Sequence, residues 1–139
     1  MSNRFPRRRR GDTYIKTQQV DRKSITPFLL RTFIRVGDRN SPKDYQESLP
    51  QDEIEIYSWK DCTLKELTSI IQDNCIPARK QGTRFVFAFV FKDKRTGQIV
   101  FKDIGSTYSS KSSSDDDSSL EQLRFRTGDY LDVALFLRD

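Results

Sequence analysis

Histidine does not occur in the chain, and cysteine occurs only twice, at Cys62 and Cys75. Without an imidazole, no side chain of ordinary pKa titrates near neutrality, which removes the commonest general base and the commonest zinc ligand. Two cysteines alone do not make a structural zinc site, which takes four ligands. They are not expected to pair either. A helix over 63–75 sets them roughly 20 Å apart, whereas a disulfide needs Cα atoms within about 7 Å. Unpaired thiols point to a reducing compartment, cytosol or nucleus. Also missing is any apolar run near the ~18–20 residues of a membrane span. The basic start "MSNRFPRRRRGD" has no apolar stretch behind it, so it does not read as a secretory signal. No glycine-rich phosphate cradle occurs. The expectation is a protein with no catalytic residue, no metal and no cofactor.

Charge is plentiful but uneven. Net charge is +5, yet residues 1–26 hold eight basic side chains against two acidic ones, and the remaining 113 hold 17 basic and 18 acidic. The pI of 9.3 therefore describes a basic arm on a nearly neutral domain, not a basic nucleic-acid-binding fold. A length of 139 residues suits one domain. The expected organisation is a disordered basic arm over 1–26 and a folded domain over 27–139. Arg7, Arg8, Arg9 and Arg10 in the arm suit nuclear targeting or RNA contact. Phe5 and Tyr14 are the arm's only aromatics, too few for specific RNA stacking.

"FLLRTFIRV", 28–36, reads as a strand and runs into a Gly-, Asn-, Ser- and Pro-containing loop. "EIEIYSW", 53–59, alternates: Ile54 and Ile56 on one face, Glu53, Glu55 and Tyr57 on a wet one. Thr63-Leu64-Lys65-Glu66 fits a capping box, in which Thr63 accepts from the third amide and Glu66 reaches back. Leu64, Leu67, Ile70 and Ile71 follow at helical spacing, and Pro77 ends the helix. "RFVFAFVF", 84–91, puts four phenylalanines on one face and Val86, Ala88 and Val90 on the other. A hairpin turn at Gly97 leads to "QIVFKDI", 98–104. A low-complexity Ser/Asp loop, 109–119, a short helical turn at 119–125 and a last strand, 130–137, complete the chain. This order predicts an α+β, β-grasp (ubiquitin-like) mixed sheet of about five strands, covered on one face by one main helix.

Candidate chemistry is sparse. Cys62 lies beside a helix start, where a thiolate would be favoured, but a lone cysteine there reads as structural. Asp115, Asp116 and Asp117 read as a solvated loop rather than a cation site. Ser112, Ser113 and Ser114 each have an aspartate three residues on, which suits an acid-directed kinase. Trp59, at a strand–helix corner, reads as a core plug rather than an anchor. The sheet face away from the helix is the better candidate for function. Val86, Val90, Tyr130, Asp132, Ala134 and Phe136 are expected on that face, and apolar surface of this kind marks a partner site unless a loop folds over it.

"PFLLRTF", "IYSWKDCTLKELTSII", "ARKQGTRFVFAFVFKD", "DIGST" and "FRTGDYLDVAL" resemble, in order and spacing, the Sin-three-associated polypeptide family over about residues 21–137. The resemblance implies a ubiquitin-like, non-enzymatic nuclear adaptor, monomeric within a hetero-complex. Its implied partners are the Sin-three histone deacetylase corepressor, an Acinus- or Pinin-type peptide motif, and an RRM-containing serine-rich splicing protein. The last two belong to the ASAP and PSAP complexes associated with the exon junction complex. A different class, RNA association through the arginine arm, is the alternative. A conjugated modifier is not expected, because the chain ends "ALFLRD" without a Gly-Gly tail.

Overall fold

The structure is a computed structural model that describes residues 19–138; Arg7, Arg8, Arg9 and Arg10 lie outside the described residues. Five strands and one main helix follow in chain order: β1 Phe28–Val36, β2 Glu53–Ser58, α1 Leu64–Asn74, β3 Arg84–Lys92, β4 Ile99–Tyr108 and β5 Tyr130–Phe136. They form one sheet in the order β2-β1-β5-β3-β4, with β5 parallel to β1 and the other neighbours antiparallel. This is the expected α+β ubiquitin-like architecture. The last strand enters the middle of the sheet.

Side-chain parity divides the sheet as the alternation predicts. Phe85, Phe87 and Phe89 from β3 and Leu131, Val133 and Leu135 from β5 are essentially fully buried on the helix side. Leu64, Leu67 and Ile71 of α1 close over them. Burying each large apolar side chain stabilises the fold by about 2–3 kcal/mol, so this interior outweighs every polar contact described below.

The start of α1 is only half a capping box. Thr63 Oγ1 accepts from the Glu66 amide at 3.2 Å, but the Glu66 carboxylate turns away to Arg22. The amides of Leu64 and Lys65 donate instead to the carbonyls of Ser118 and Asp116, each at 3.0 Å. The Ser/Asp loop thus satisfies helix donors that would otherwise lack a partner. At the other end Cys75 leaves the helical region before Pro77 is reached, and the Arg79 side chain donates to the Gln72 and Asp73 carbonyls.

β4 runs to Tyr108, four residues beyond the expected end. A register shift opposite Phe87 and Ala88 lets it bend, with Gly105 at a φ of +144°. There Asp115 accepts from the Ser106 amide and Ser113 donates to the Ser106 carbonyl. The low-complexity loop is therefore fastened to the β4 edge by its own serine and aspartate side chains.

Candidate functional site

The centre of the face away from α1 is closed, which corrects the expectation of an open surface there. Val90 and Ala134 have no exposure and Asp132 has 1%. Loop 37–52 crosses this face and inserts Tyr45, whose ring stacks on Tyr130 at 5.9 Å and meets Phe33 and Phe101 edge-on. Beneath it, the Asp132 carboxylate accepts from the Tyr45 hydroxyl at 2.5 Å and the Asn40 amide at 2.9 Å. Burial pushes the Asp132 carboxyl above its ordinary range despite these two donors. Arg39 pins the far side of the loop by pairing with Asp103 over the Phe101 ring. Parity placed the six residues on the correct face, but a short aspartate can be fully covered by a loop that brings its own donors. Only the rim of the expected surface stays accessible: Val86 is half-buried, Tyr130 half-buried under the Arg31 guanidinium, and Phe136 is 36% exposed.

Exposure lies instead at the β1–β2 side of the molecule. Leu29 and Tyr57 stand opposite each other across the two strands and are 36% and 60% exposed. The sequence carried a signal for this, since Tyr57 is an aromatic on the wet face of a strand otherwise bearing glutamates. Just beyond β2, Val20, Ile25, Phe28 and Trp59 line an apolar groove.

That groove exists because residues 19–26 are fastened to the domain, which corrects the expectation of a disordered arm as far as residue 26. Arg22 donates to Asp61 at 2.8 Å and to Glu66 at 2.6 Å. Its guanidinium lies 4.9 Å from the Trp59 ring centre. The Val20 amide adds a bond to Asp61, and Trp59 Nε1 donates to the Ile25 carbonyl at 2.7 Å. Trp59 is therefore an anchor for this strap and not a core plug. Burial alone would raise the Asp61 carboxyl, but the Val20 amide and Arg22 outweigh it and hold it below its ordinary range.

A carboxyl lowered in the fold contributes stability above its unfolded pKa and loses it as pH falls through the folded value. The strap is therefore expected to loosen in acid. Arg22→Ala is expected to cost about 1 kcal/mol, as for a partly exposed multidentate pair. It should also red-shift the fluorescence of Trp59, the sole tryptophan, at neutral pH. The wild-type shift should appear only on acidification. An unchanged emission in the variant would contradict the strap.

Two other candidates resolve differently. Cys62 is fully buried, and burial pushes its thiol up to about 12, so it is held as a structural thiol. Of the three serines, Ser112 and Ser114 are exposed, whereas Ser113 is tied to Ser106 and Asp116. Among the described residues no cluster of His, Cys, Asp and Glu could hold a metal.

Residues 19–135, from the strap through most of β5, match the model of the family described as Sin3 associated polypeptide p18 (SAP18). A human protein named histone deacetylase complex subunit SAP18 is 44% identical over 119 residues, covering 84% of this chain and 77% of its own. The Arabidopsis thaliana protein of the same name is 38% identical over 125 residues, covering 87% of this chain and 82% of its own. The Drosophila melanogaster protein, again so named, is 39% identical over 123 residues, covering 86% and 82%. The chain belongs to the Sin3 associated polypeptide p18 (SAP18) family.

Proposed function

We propose that this chain is a non-enzymatic adaptor subunit of a histone deacetylase complex, acting in the nucleus in transcriptional repression. The observation that carries this reading is the extent of the family match. It takes in the Arg22 strap, the helix cap and the strands from β1 through most of β5, and relatives named as deacetylase complex subunits align with the chain over 82% and 77% of their own length. Its finer role follows from the family resemblance. The chain joins an Acinus- or Pinin-type peptide and an RRM-containing serine-rich protein, and so links the corepressor to splicing at exon junctions and nuclear speckles. Arg7 to Arg10 supply nuclear targeting or RNA contact. Ser112 and Ser114, whose hydroxyls are accessible, are the better kinase substrates, and Val86, Tyr130 and Phe136 form the accessible rim of the partner surface.

The test is affinity capture from nuclear extract with the full chain, followed by mass spectrometry and a deacetylase assay of the retained material. Deacetylase subunits and activity together with the two splicing proteins are expected, with phosphate on Ser112 or Ser114 of the recovered chain and none on Ser113. Capture without any deacetylase subunit would overturn the adaptor role. Capture of deacetylase subunits without splicing proteins would overturn only the splicing link.

A further inference from the structure

The two outer edges of the sheet are not alike. At the β4 edge the Ser/Asp loop takes both the N–H and the C=O of Ser106, and the Lys102 side chain reaches across to the Leu123 carbonyl. β2 has no such cover. Every second residue of Glu53–Ser58 turns its N–H and C=O away from β1, and among the described residues these outward groups have no hydrogen-bond partner. Of the usual guards of an exposed edge, the strand has only its short length and the charge of Glu53 and Glu55. It contains no proline and no lysine, and its register with β1 is unbroken from Phe28↔Ser58 to Phe33↔Glu53.

The surroundings of this edge specify what it would accept. On the face away from α1, Glu53 is engaged by Arg31 at 2.6 Å, while Glu55 is exposed and makes no ion pair among the described residues. Tyr57 stands two residues further along the same face, 60% exposed. On the helix side, Ile54, Val36 and Cys75 line a cleft between the strands and the end of α1. A strand laid beside β2 would alternate its side chains between these two faces.

We propose that the outer edge of β2 takes up an extended, basic peptide segment of a partner protein as a sixth strand. A lysine or arginine of the peptide pairs with Glu55, its flanking residues are apolar and meet the Ile54 cleft, and an aromatic or apolar residue packs on Tyr57. Main-chain hydrogen bonds give such addition its affinity, and alternate side chains give its specificity. A second copy of this chain fits poorly, because two β2 edges side by side would gather both copies' Glu53 and Glu55 on one face. The sixth strand rests on the adaptor reading above and gives it a partner chemistry.

The test uses the full chain, 15N-labelled, and a short peptide with a Val-Lys-Val-Tyr core, compared with the same peptide carrying glutamate for lysine. The lysine peptide is expected to shift the amide signals of 53–58 and slow their hydrogen exchange. Glu55→Lys should weaken it about five- to tenfold, the scale of converting an exposed attraction into a repulsion, and should confer binding of the glutamate peptide. Shifts confined to the Trp59 groove, equal affinity for both peptides, or no binding at about 1 mM would each overturn the sixth strand. Concentration-dependent broadening of 53–58 without peptide would overturn it in favour of self-pairing. Absent peptide binding with deacetylase subunits still captured removes this site alone, whereas absent capture with peptide binding intact removes the adaptor role alone.

Discussion

Asp132→Ala is expected to lower the free energy of unfolding by about 3 kcal/mol, the sum of leaving two buried donors without an acceptor. The donors are the Tyr45 hydroxyl and the Asn40 amide, on residues that are 5% and 7% exposed. Alanine has no oxygen to offer either, and the loop that brought them has no alternative way to satisfy them while it covers β5. Asp132→Asn keeps the accepting oxygen and removes only the buried charge, so it should cost under about 1 kcal/mol.

pH separates the two effects. The folded carboxyl is raised from its ordinary 3.8, so the native state binds more protons than the unfolded state just above that value. By linkage, this group's contribution to stability then falls as pH rises through the window between 3.8 and the higher folded pKa. Urea melts from pH 3 to pH 7 should show that slope in the wild type and its loss in Asp132→Asn. Equal stability of Asp132→Ala and wild type would mean that loop 37–52 is not held by this carboxylate.

Gly105→Ala is expected to cost about 3 kcal/mol as well, for an unrelated reason. A φ of +144° lies in a region that L side chains rarely adopt. An added Cβ would also stand 2.9 Å from Asp115 Oδ2 and 3.0 Å from Leu64 Cδ1. The carboxylate is the softer neighbour and would be displaced, breaking its bond from the Ser106 amide. The loop carrying the Asp116 and Ser118 carbonyls would then withdraw from the start of α1. Hydrogen exchange at Leu64 and Lys65 is therefore expected to accelerate beyond what the global loss of stability explains. Protection lost evenly across the molecule would place the damage in β4 alone.

The strands, the helix and their order were legible because each rests on local periodicity. "EIEIYS" alternates whatever else the chain does, and the Leu64, Leu67, Ile71 spacing declares a helix face. The sheet order followed from the position of one helix between two pairs of strands, with a strand left over for the centre. What stayed hidden depends on contacts with no local signature. Asp132 looks like an exposed aspartate of an alternating strand, and only residues 87 and 92 positions away in sequence show otherwise. Residues 19–26 read as polar coil because their order rests on Arg22 reaching Asp61, 39 positions on. The Ser/Asp loop caps α1 through backbone carbonyls, which every residue type has. Its composition therefore carried no sign of that role.

The topology also bears on time. Of the five strands, translation delivers β5 last, although the sheet places it between β1 and β3. At roughly 5–20 residues per second, the ~100 residues separating β1 from β5 take about 5–20 s to emerge. Throughout that interval β1 carries a bare inner edge flanked by phenylalanines, and β3 does so once it has been made about halfway through, the kind of surface on which chaperones act and misassembly begins. Neither the roof over Asp132 nor the complete outer sheet exists yet. A partner that reads the finished surface therefore meets the chain only after β5 has left the ribosome.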